Sequence, residues 1–163
     1  MKKPVFVVCV IALLFGCGES PHDQTAQQSP LDAPPQASPV VPGTSAQAQL
    51  NAIRTQAGLG RVKRNAALDA AALAHASDMA TQEFMGHIGT DGSDLRDRVD
   101  RTGYTWCTLA ENVSMGYRTT QGAIEAWRVS PGHYRNLVKE NAREFGLADV
   151  KGFRVMVLSA RRC

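Results

Sequence analysis

Two histidines and one glutamate are the side chains of this sequence best placed to do chemistry. His87 stands in a glycine-punctuated segment, Gly86–Gly92, whose glycines let the backbone approach other groups closely and let the imidazole project. His133 lies near the start of a predicted short helix, and Glu111 lies on a predicted strand, where an acid has no evident packing use. Imidazole and carboxylate groups exchange protons near neutral pH, so acid–base chemistry by Glu111 with either histidine is available.

A serine close to His133 raises a second chemistry. Ser130, His133 and Glu111 are the residue types of a hydrolytic triad. Ser130 and His133 are only three positions apart around Pro131, however, and nothing in the sequence identifies an oxyanion hole. His75 falls on the apolar face of a predicted alanine-rich helix, and we expect it to be a hydrogen-bonded core residue.

Helices and strands must position these residues. Along the chain, helices are predicted mainly in the first part of the domain and strands mainly toward its end. The apolar spacing and the capping residues predict helices at 46–57, from Asn65 to about Phe84, at 94–102 behind Ser93, from Thr119 or Thr120 through Trp127, and from Pro131 to about Val138. Apolar and β-branched runs predict strands at 109–115, 145–150 and 153–160, the last two joined as a hairpin through Lys151-Gly152. This order indicates an α+β fold.

The N-terminus has the features of an export signal. Lys2 and Lys3 precede an apolar run at 5–15, which is too short to span a membrane and typical of a secretory signal peptide. The run ends in Leu14-Phe15-Gly16-Cys17, which resembles the bacterial lipobox apart from the large residue Phe15. We therefore expect a signal peptide at 1–16 and a lipid anchor on Cys17, with Gly18 favouring the outer membrane, facing the periplasm or the surface. Cleavage after Gly18 instead would release a soluble, secreted protein.

Residues 17–45 are predicted to be the lipidated cysteine and a tether, and residues 46–163 the folded domain. Six of the eight prolines lie in 18–45, where no helical or strand period is visible. Without the signal the chain carries sixteen basic and fifteen acidic side chains. This balance, with no basic stripe, argues against nucleic acid as a partner.

The cysteines are consistent with an exported domain. Cys9 belongs to the predicted signal and Cys17 to the lipid anchor, which leaves Cys107 and Cys163 in a compartment where disulfides persist. A bond between them would close a ring of about 57 residues and stabilise the domain by roughly 4 kcal/mol on the chain-entropy model. The alternative is two unrelated thiols.

Several motifs occur together in one order: GHIGTDG at 86–92, AENV at 110–113, AWRVSPGHYRNL at 126–137 and FGLA at 145–148. This set resembles the CAP superfamily of cysteine-rich secretory proteins, antigen 5 and pathogenesis-related proteins of group 1, in its bacterial secreted branch. The resemblance covers residues 46–163. It implies the CAP-type α-β-α sandwich, in which a central antiparallel sheet lies between helical layers.

The resemblance also implies a cleft with two histidines and two glutamates that can hold a divalent cation. Carried over motif by motif, three of these positions are His87, Glu111 and His133, while the fourth, an acid in eukaryotic members, falls on Ser130. Two imidazoles and one carboxylate would still form a reasonable set for Zn²⁺ or another divalent cation, with an open position. Glu125 lies on a different helical face from this fourth position and is not a substitute for it.

Two weaker signals have plain structural explanations. Asp91 and Asp94 lack the full oxygen set of a calcium loop, so a turn and a helix cap are expected there. Asn112 begins a glycosylation tripeptide, but its position on a strand beside the cleft favours a structural role for its amide.

The sequence favours an envelope-anchored, monomeric CAP-domain lipoprotein that binds a divalent metal, or a small or lipidic envelope ligand, without catalysis. One alternative is a metal-assisted, peptidase-like hydrolase, for which the catalytic candidates are Glu111, His87 and His133 and a metal-bound water would be the nucleophile. Another alternative is a protein-interaction module with a vestigial cleft.

Overall fold

The computed structural model of the chain describes residues 45–163. The predicted signal peptide, Cys17 and the tether up to residue 44 lie outside the described residues. Five helices and four strands follow one another along the domain: α1 Ala46–Gln56, β1 Lys63–Arg64, α2 Ala66–Gln82, α3 Leu95–Asp100, β2 Thr108–Ser114, α4 Thr120–Val129, α5 Pro131–Leu137, β3 Glu144–Val150 and β4 Phe153–Ala160. Each predicted helix and strand is therefore present.

The helices begin where capping side chains satisfy their first backbone N–H groups. The side-chain oxygen of Asn65 accepts from the N–H groups of residues 67 and 68 at the start of α2, and Thr119 caps α4 in the same way. The prediction for α3 is wrong in detail, because its cap is Asp94 rather than Ser93. Asp94 forms a capping box with Asp97, so this helix starts one residue later than expected and ends at residue 100.

The four strands form one mixed sheet in the order β1-β3-β4-β2. The three predicted strands pair antiparallel, and β3 and β4 turn at Lys151 and Gly152, whose φ angles are 51° and 86°. The two-residue strand β1, parallel to β3, was not predicted. It is too short to show a period, and it makes the sheet mixed rather than wholly antiparallel.

Helices cover both faces of the sheet. On one face α2 and α3 pack on the sheet through a buried cluster that includes Leu68, Met79, Val99, Val155 and Val157. On the other face a second cluster joins the sheet to α1, α4 and α5; it includes Leu50, Ile124, Trp127, Phe145 and Leu158. The predicted α-β-α sandwich is confirmed.

A buried arginine fixes α5, the helix that carries His133. Arg54 on α1 is fully buried and donates to the carbonyl oxygens of Gly60, Leu137, Lys139 and Ala142 at 2.9 to 3.2 Å. These bonds tie α1 to the end of α5 and to the segment that leads into β3. Burial first, and then the nearby charge of Arg143, lower the pKa of Arg54 from its usual value.

The predicted disulfide is present between Cys107 and Cys163. It joins the residue before β2 to the end of the chain, three residues after β4. Between residues 45 and 163, none of the helices is long and apolar enough to cross a membrane.

Candidate functional site

The imidazole of His87 is held by the carboxylate of Glu111. His87 lies on the loop between α2 and α3, and its Nδ1 is 2.8 Å from Oε1 of Glu111 on β2. A carboxylate can only accept, so Nδ1 of His87 is the donor and carries a proton. The side chain of His87 is 59% exposed and that of Glu111 is 4% exposed, so a buried acid orients an accessible imidazole.

A third residue, Arg98 on α3, completes this part of the site. Its Nη2 lies 2.8 Å from Oε2 of Glu111 and 3.1 Å from the carbonyl oxygen of His87, and its Nη1 donates to the carbonyl oxygen of Ser93. The guanidinium therefore joins the acid on β2 to both ends of the His87 loop. Sequence reasoning missed Arg98 because α3 reads as a charged surface helix. The helical spacing of Leu95, Arg98 and Val99, which places Arg98 beside apolar residues, was the available signal.

The His87 loop is also fixed from α2. Asp78 accepts hydrogen bonds from the backbone N–H of Thr90 at 2.8 Å and from its hydroxyl at 2.6 Å. A Cβ atom on Gly89 would lie 2.9 Å from side-chain oxygen atoms of Asp91 and Ser93, so these side chains would have to shift to admit a larger residue. Asp91 in turn accepts from the N–H of Ser93, as expected of a turn rather than a calcium loop.

His133 reaches the same region from α5 through a chain of amides. Nδ2 of Asn112 donates to the carbonyl oxygen of His133 at 3.1 Å. Nδ2 of Asn136 donates to Oδ1 of Asn112 at 2.8 Å and to the carbonyl oxygen of Glu111 at 2.9 Å. Asn112 therefore has the structural role that its position on the strand suggested. Asn136 was not predicted, and its place one turn after His133 on α5 is the only sequence signal for it.

The ring of His133 is bonded through Nδ1, which lies 2.9 Å from Oγ of Ser130. Burial first, and then the positive charge of His87, lower the pKa of His133 below its ordinary value. Both effects disfavour the protonated form of His133.

Comparison with known proteins agrees with this architecture. A sequence profile of the cysteine-rich secretory protein family, CAP, matches residues 47–156. The chain belongs to the CAP family. The resemblance noted from the motifs is thereby confirmed at the level of the family.

Individual relatives of this CAP domain are distant. The protein YkwD of Bacillus subtilis (strain 168) is 27% identical over 84 residues, which are 52% of this chain and 33% of YkwD. The solved structure of an extracellular protein containing an SCP domain from Bacillus anthracis str. Ames superposes with a TM-score of 0.66 at 23% identity, covering 68% of this chain and 37% of that one. The solved structure of an outer surface protein from Borrelia burgdorferi gives a TM-score of 0.63 at 16% identity, covering 70% of this chain and 88% of that one. The chain thus spans about a third of the first two relatives.

The CAP cleft brings together some of the predicted residues and not others. His87 contacts Glu111, and His133 contacts Ser130. Glu111 bonds to His87 rather than to His133, so Ser130, His133 and Glu111 do not form the relay of a hydrolytic triad. His75 is buried as expected; its Nε2 donates to the carbonyl oxygen of Gly86, while its buried Nδ1 has no hydrogen-bond partner among the described residues.

The donor set fits a metal ion only in part. Among residues 45–163, no group of three or more His, Cys, Asp or Glu side chains is placed to hold a metal ion. The two imidazoles suit a transition metal, since each is bonded through Nδ1. The carboxylate of Glu111 does not fit as a third ligand, because His87 occupies one oxygen and Arg98 the other. The predicted metal-binding set of His87, Glu111 and His133 stays a prediction. Of these three residues, the two histidines are the ones whose contacts suit a metal ion.

Two grooves border the imidazoles. A groove of about 450 Å³ lies beside His87 and is lined by Ile88, Leu95 and Leu109, among others. A second groove of about 320 Å³ lies beside His133; its apolar lining includes Met85, Val113, Met115, Tyr117, Ala126 and Trp127. Large exposed apolar side chains of the described domain are few, and four of them line these grooves: Met85, Ile88, Met115 and Tyr117.

Proposed function

We propose that this CAP domain is a non-enzymatic binding domain of the bacterial cell envelope whose cleft holds a divalent transition-metal ion on His87 and His133. The observation that carries the proposal is the bond between Nδ1 of His87 and Oε1 of Glu111. Metal-ligating histidines commonly donate their other N–H to a carboxylate, which fixes the tautomer and raises the basicity of the free nitrogen. Glu111 supplies this carboxylate to Nδ1 of His87, and the other ring nitrogen, Nε2, belongs to an exposed side chain.

The state of His133 supports the same proposal. Its Nδ1 is bonded to Ser130, and burial first, and then the charge of His87, lower its pKa. A neutral imidazole is the form that binds metal, because protonation removes the lone pair. The lowered pKa of His133 therefore favours the form of this ring that can bind a metal ion.

The hydrogen bonds that Glu111 already makes give the hydrolase alternative less support. A bound metal ion would supply Lewis-acid chemistry. Proton abstraction beside it would need a free base, and both oxygens of Glu111 are bonded, one to His87 and one to Arg98. Ser130 is bonded to His133 without a carboxylate behind that histidine. These contacts favour binding over turnover.

The exposed apolar side chains of the two grooves favour a second ligand class. Four large exposed apolar side chains beside the two imidazoles offer contact area to a small or lipidic envelope ligand. Each groove is lined by one of the two histidines, His87 in the first and His133 in the second.

The location we propose is the bacterial envelope, with a lipid on Cys17 and residues 18–45 as a tether from the outer membrane. The basic start, the short apolar run and the cysteine that follows it support the anchor. One structural neighbour is described as extracellular and another as an outer surface protein. The membrane is therefore the proposed partner of the N-terminus, and the domain itself is proposed to be monomeric.

Calorimetric titration of Zn²⁺ tests the metal proposal. The protein is the chain that lacks only the signal and Cys17, and we expect about one equivalent to bind. The double variant H87A/H133A should lose this binding, and the matched control H22A, in the tether, should keep it. Binding by the double variant equal to that of the control, or no binding by the parent chain, would refute the metal proposal and leave the apolar ligand as the function to test.

A further inference from the structure

The second of the two grooves, which we call the His133 groove, carries a cluster of exposed apolar side chains. Met85, Met115 and Tyr117 line it and are 55%, 51% and 42% exposed. Single exposed apolar side chains are common, whereas several that line one concave site indicate a binding surface. We therefore expect an apolar occupant for this groove.

The walls of the groove are held in place by buried polar contacts. The carbonyl oxygen of Tyr117 accepts from Nη1 of Arg154 at 2.7 Å, and Nη2 of this buried arginine pairs with Asp149. Trp127 is buried as well, and its Nε1 donates to the carbonyl oxygen of Val113 at 3.1 Å. A preformed site binds its occupant at a lower entropic cost than a site that must first become ordered.

One polar group of the groove lacks a partner. Ser114 lines the groove and is buried, and its hydroxyl has no hydrogen-bond partner among residues 45–163. Buried hydroxyl groups are normally hydrogen-bonded. A peptide segment offers both apolar side chains and backbone carbonyl oxygens, so it matches both features of the groove.

The chain itself enters the domain beside this groove. Ser45 caps α1, and Nε2 of Gln49, in the first turn of α1, donates to the carbonyl oxygen of Gln121 at 3.1 Å. Gln121 lies in the first turn of α4, four positions after Tyr117. The residues before Ser45 therefore join the domain close to the segment that contributes Tyr117 to the groove.

The sequence immediately before Ser45 has the composition of a groove ligand. Leu31, Val40 and Val41 are the large apolar residues of positions 18–44, and the two valines stand between Pro39 and Pro42. Segments of the form P-x-x-P bind aromatic-lined grooves, because proline restricts the backbone and lowers the entropy lost on binding. At about 3.3 Å per residue, the five positions from Val40 to Ser45 extend over about 17 Å. This length keeps both valines close to the groove.

A weak contact is sufficient because the segment and the groove belong to one chain. A short flexible connection gives the linked segment an effective concentration in the millimolar range. A dissociation constant on the order of 1 mM would then keep the groove occupied for about half of the time.

We propose that residues 39–42 bind in the His133 groove of their own chain and cover it until an apolar ligand displaces them. The tether is then an intramolecular competitor of the small or lipidic ligand proposed above, and binding of that ligand releases the tether from the domain. The covering of the groove rests on neither the proposed metal ion nor the proposed ligand.

Methionine methyl NMR tests the contact in the chain that lacks only the signal and Cys17. Met85 and Met115 line the groove, whereas Met79 and Met156 are fully buried in the two core clusters and serve as internal references. The two groove resonances are assigned by their absence in M85L and M115L.

Loss of the two valine side chains should change the groove resonances alone. V40S/V41S, whose substitutions lie in the tether, should shift the methyl signals of Met85 and Met115 and leave those of Met79 and Met156 in place. L31S removes the other large apolar side chain of the tether and is the matched control, which should shift none of them.

A synthetic peptide of residues 36–44 measures the competition. Added to V40S/V41S, it should return the two groove signals toward their positions in the parent chain, with a dissociation constant on the order of 1 mM. For the parent chain the apparent dissociation constant should be about twofold higher or more, because the tether already occupies the groove. The same peptide with serine in place of both valines should not bind.

Three results would overturn the inference. They are unchanged groove signals in V40S/V41S, equal peptide affinity of the two proteins, and parent signals that move toward those of V40S/V41S on dilution. The last result would mean that the tether of a second copy occupies the groove. A chain that fails to bind Zn²⁺ but shows the expected shifts would overturn the proposed metal site and leave this inference standing.

Discussion

A Cβ atom on Gly146 would lie 2.1 Å from the carbonyl carbon of Leu68 and 2.3 Å from its oxygen. The backbone of α2 therefore rests directly on β3, with no side chain between them. The contact lies in the first turn of α2, the helix that leads at its other end into the loop that carries His87. The glycine of the FGLA motif is thus explained by packing rather than by chemistry.

The substitution G146A should be severely destabilising. The added methyl group would meet helix backbone, which cannot move aside as a flexible side chain can, and we expect a loss of about 3 kcal/mol or failure to fold. The matched control is G60A, since a Cβ at position 60 would meet nothing within 4 Å. Urea unfolding of both variants checks this, and equal stability of the two would show that α2 can shift off the strand at little cost.

Asn136 is expected to matter for both stability and metal binding. N136A removes the donor to Asn112 and to the carbonyl oxygen of Glu111, and it leaves both acceptors without that bond. The unfolding free energy should fall by about 1 to 3 kcal/mol. Zn²⁺ affinity should fall as well, because this amide chain connects α5, which carries His133, to β2, which carries Glu111. Asn141 is exposed, so N141A is the control. A stability loss with unchanged Zn²⁺ affinity would show that Asn136 does not position His133.

Glu144 makes stability depend on pH in the acid range. Burial alone would raise its pKa, but hydrogen bonds from Tyr104 and Asn65 and the charge of Arg161 outweigh burial and lower it. A lowered pKa stabilises the fold above the unfolded-state pKa, and this stabilisation disappears as pH falls through the folded-state value. At pH 7, E144Q should therefore be less stable than the parent chain by about 1 kcal/mol, a modest amount because the group is partly solvated.

The role of Glu144 is tested by measuring the unfolding free energy of the parent chain and of E144Q as a function of pH. The gap between the parent chain and E144Q should close as pH falls below about 4.5, the ordinary range of a glutamate. The exposed Glu140 supplies the comparison, since E140Q should follow the parent chain at every pH. A gap between the parent chain and E144Q that stays constant down to pH 2 would mean that packing, not ionisation, accounts for the effect.

Most of the fold was predictable because local signals and burial agree. Asn65 and Thr119 begin helices with apolar faces, and the alternating or apolar runs of β2, β3 and β4 have turn residues around them. Strand β1 was missed because two residues carry no period. The cap of α3 was misassigned because Ser93 and Asp94 are both good capping residues, and only the backbone geometry distinguishes them.

The sequence predicts which residues form the candidate site, but it does not predict how these residues contact one another. His87, Glu111 and His133 were found through motifs, but which oxygen of Glu111 faces which donor depends on the packing of α3 against β2. Arg98 belongs to a charged hexapeptide that reads as solvent-exposed, and its burial follows only from the tertiary fold. The contacts of Glu111 with His87 and Arg98 could not be predicted for this reason, and its role as a third metal ligand stays a prediction.

The lipid anchor is the last prediction, and its test concerns residue 17 alone. Acylation adds about 0.8 kcal/mol of membrane affinity per buried CH₂, so several chains on one cysteine would hold the protein firmly at a membrane. Cells that express the full chain and are fed a palmitate analogue should label it. C17S should abolish the label, and C9S, which alters a cysteine inside the predicted signal, should keep it. A soluble, unlabelled parent chain whose first residue is Glu19 would instead establish ordinary cleavage after Gly18, and the cleft would then act in a secreted protein.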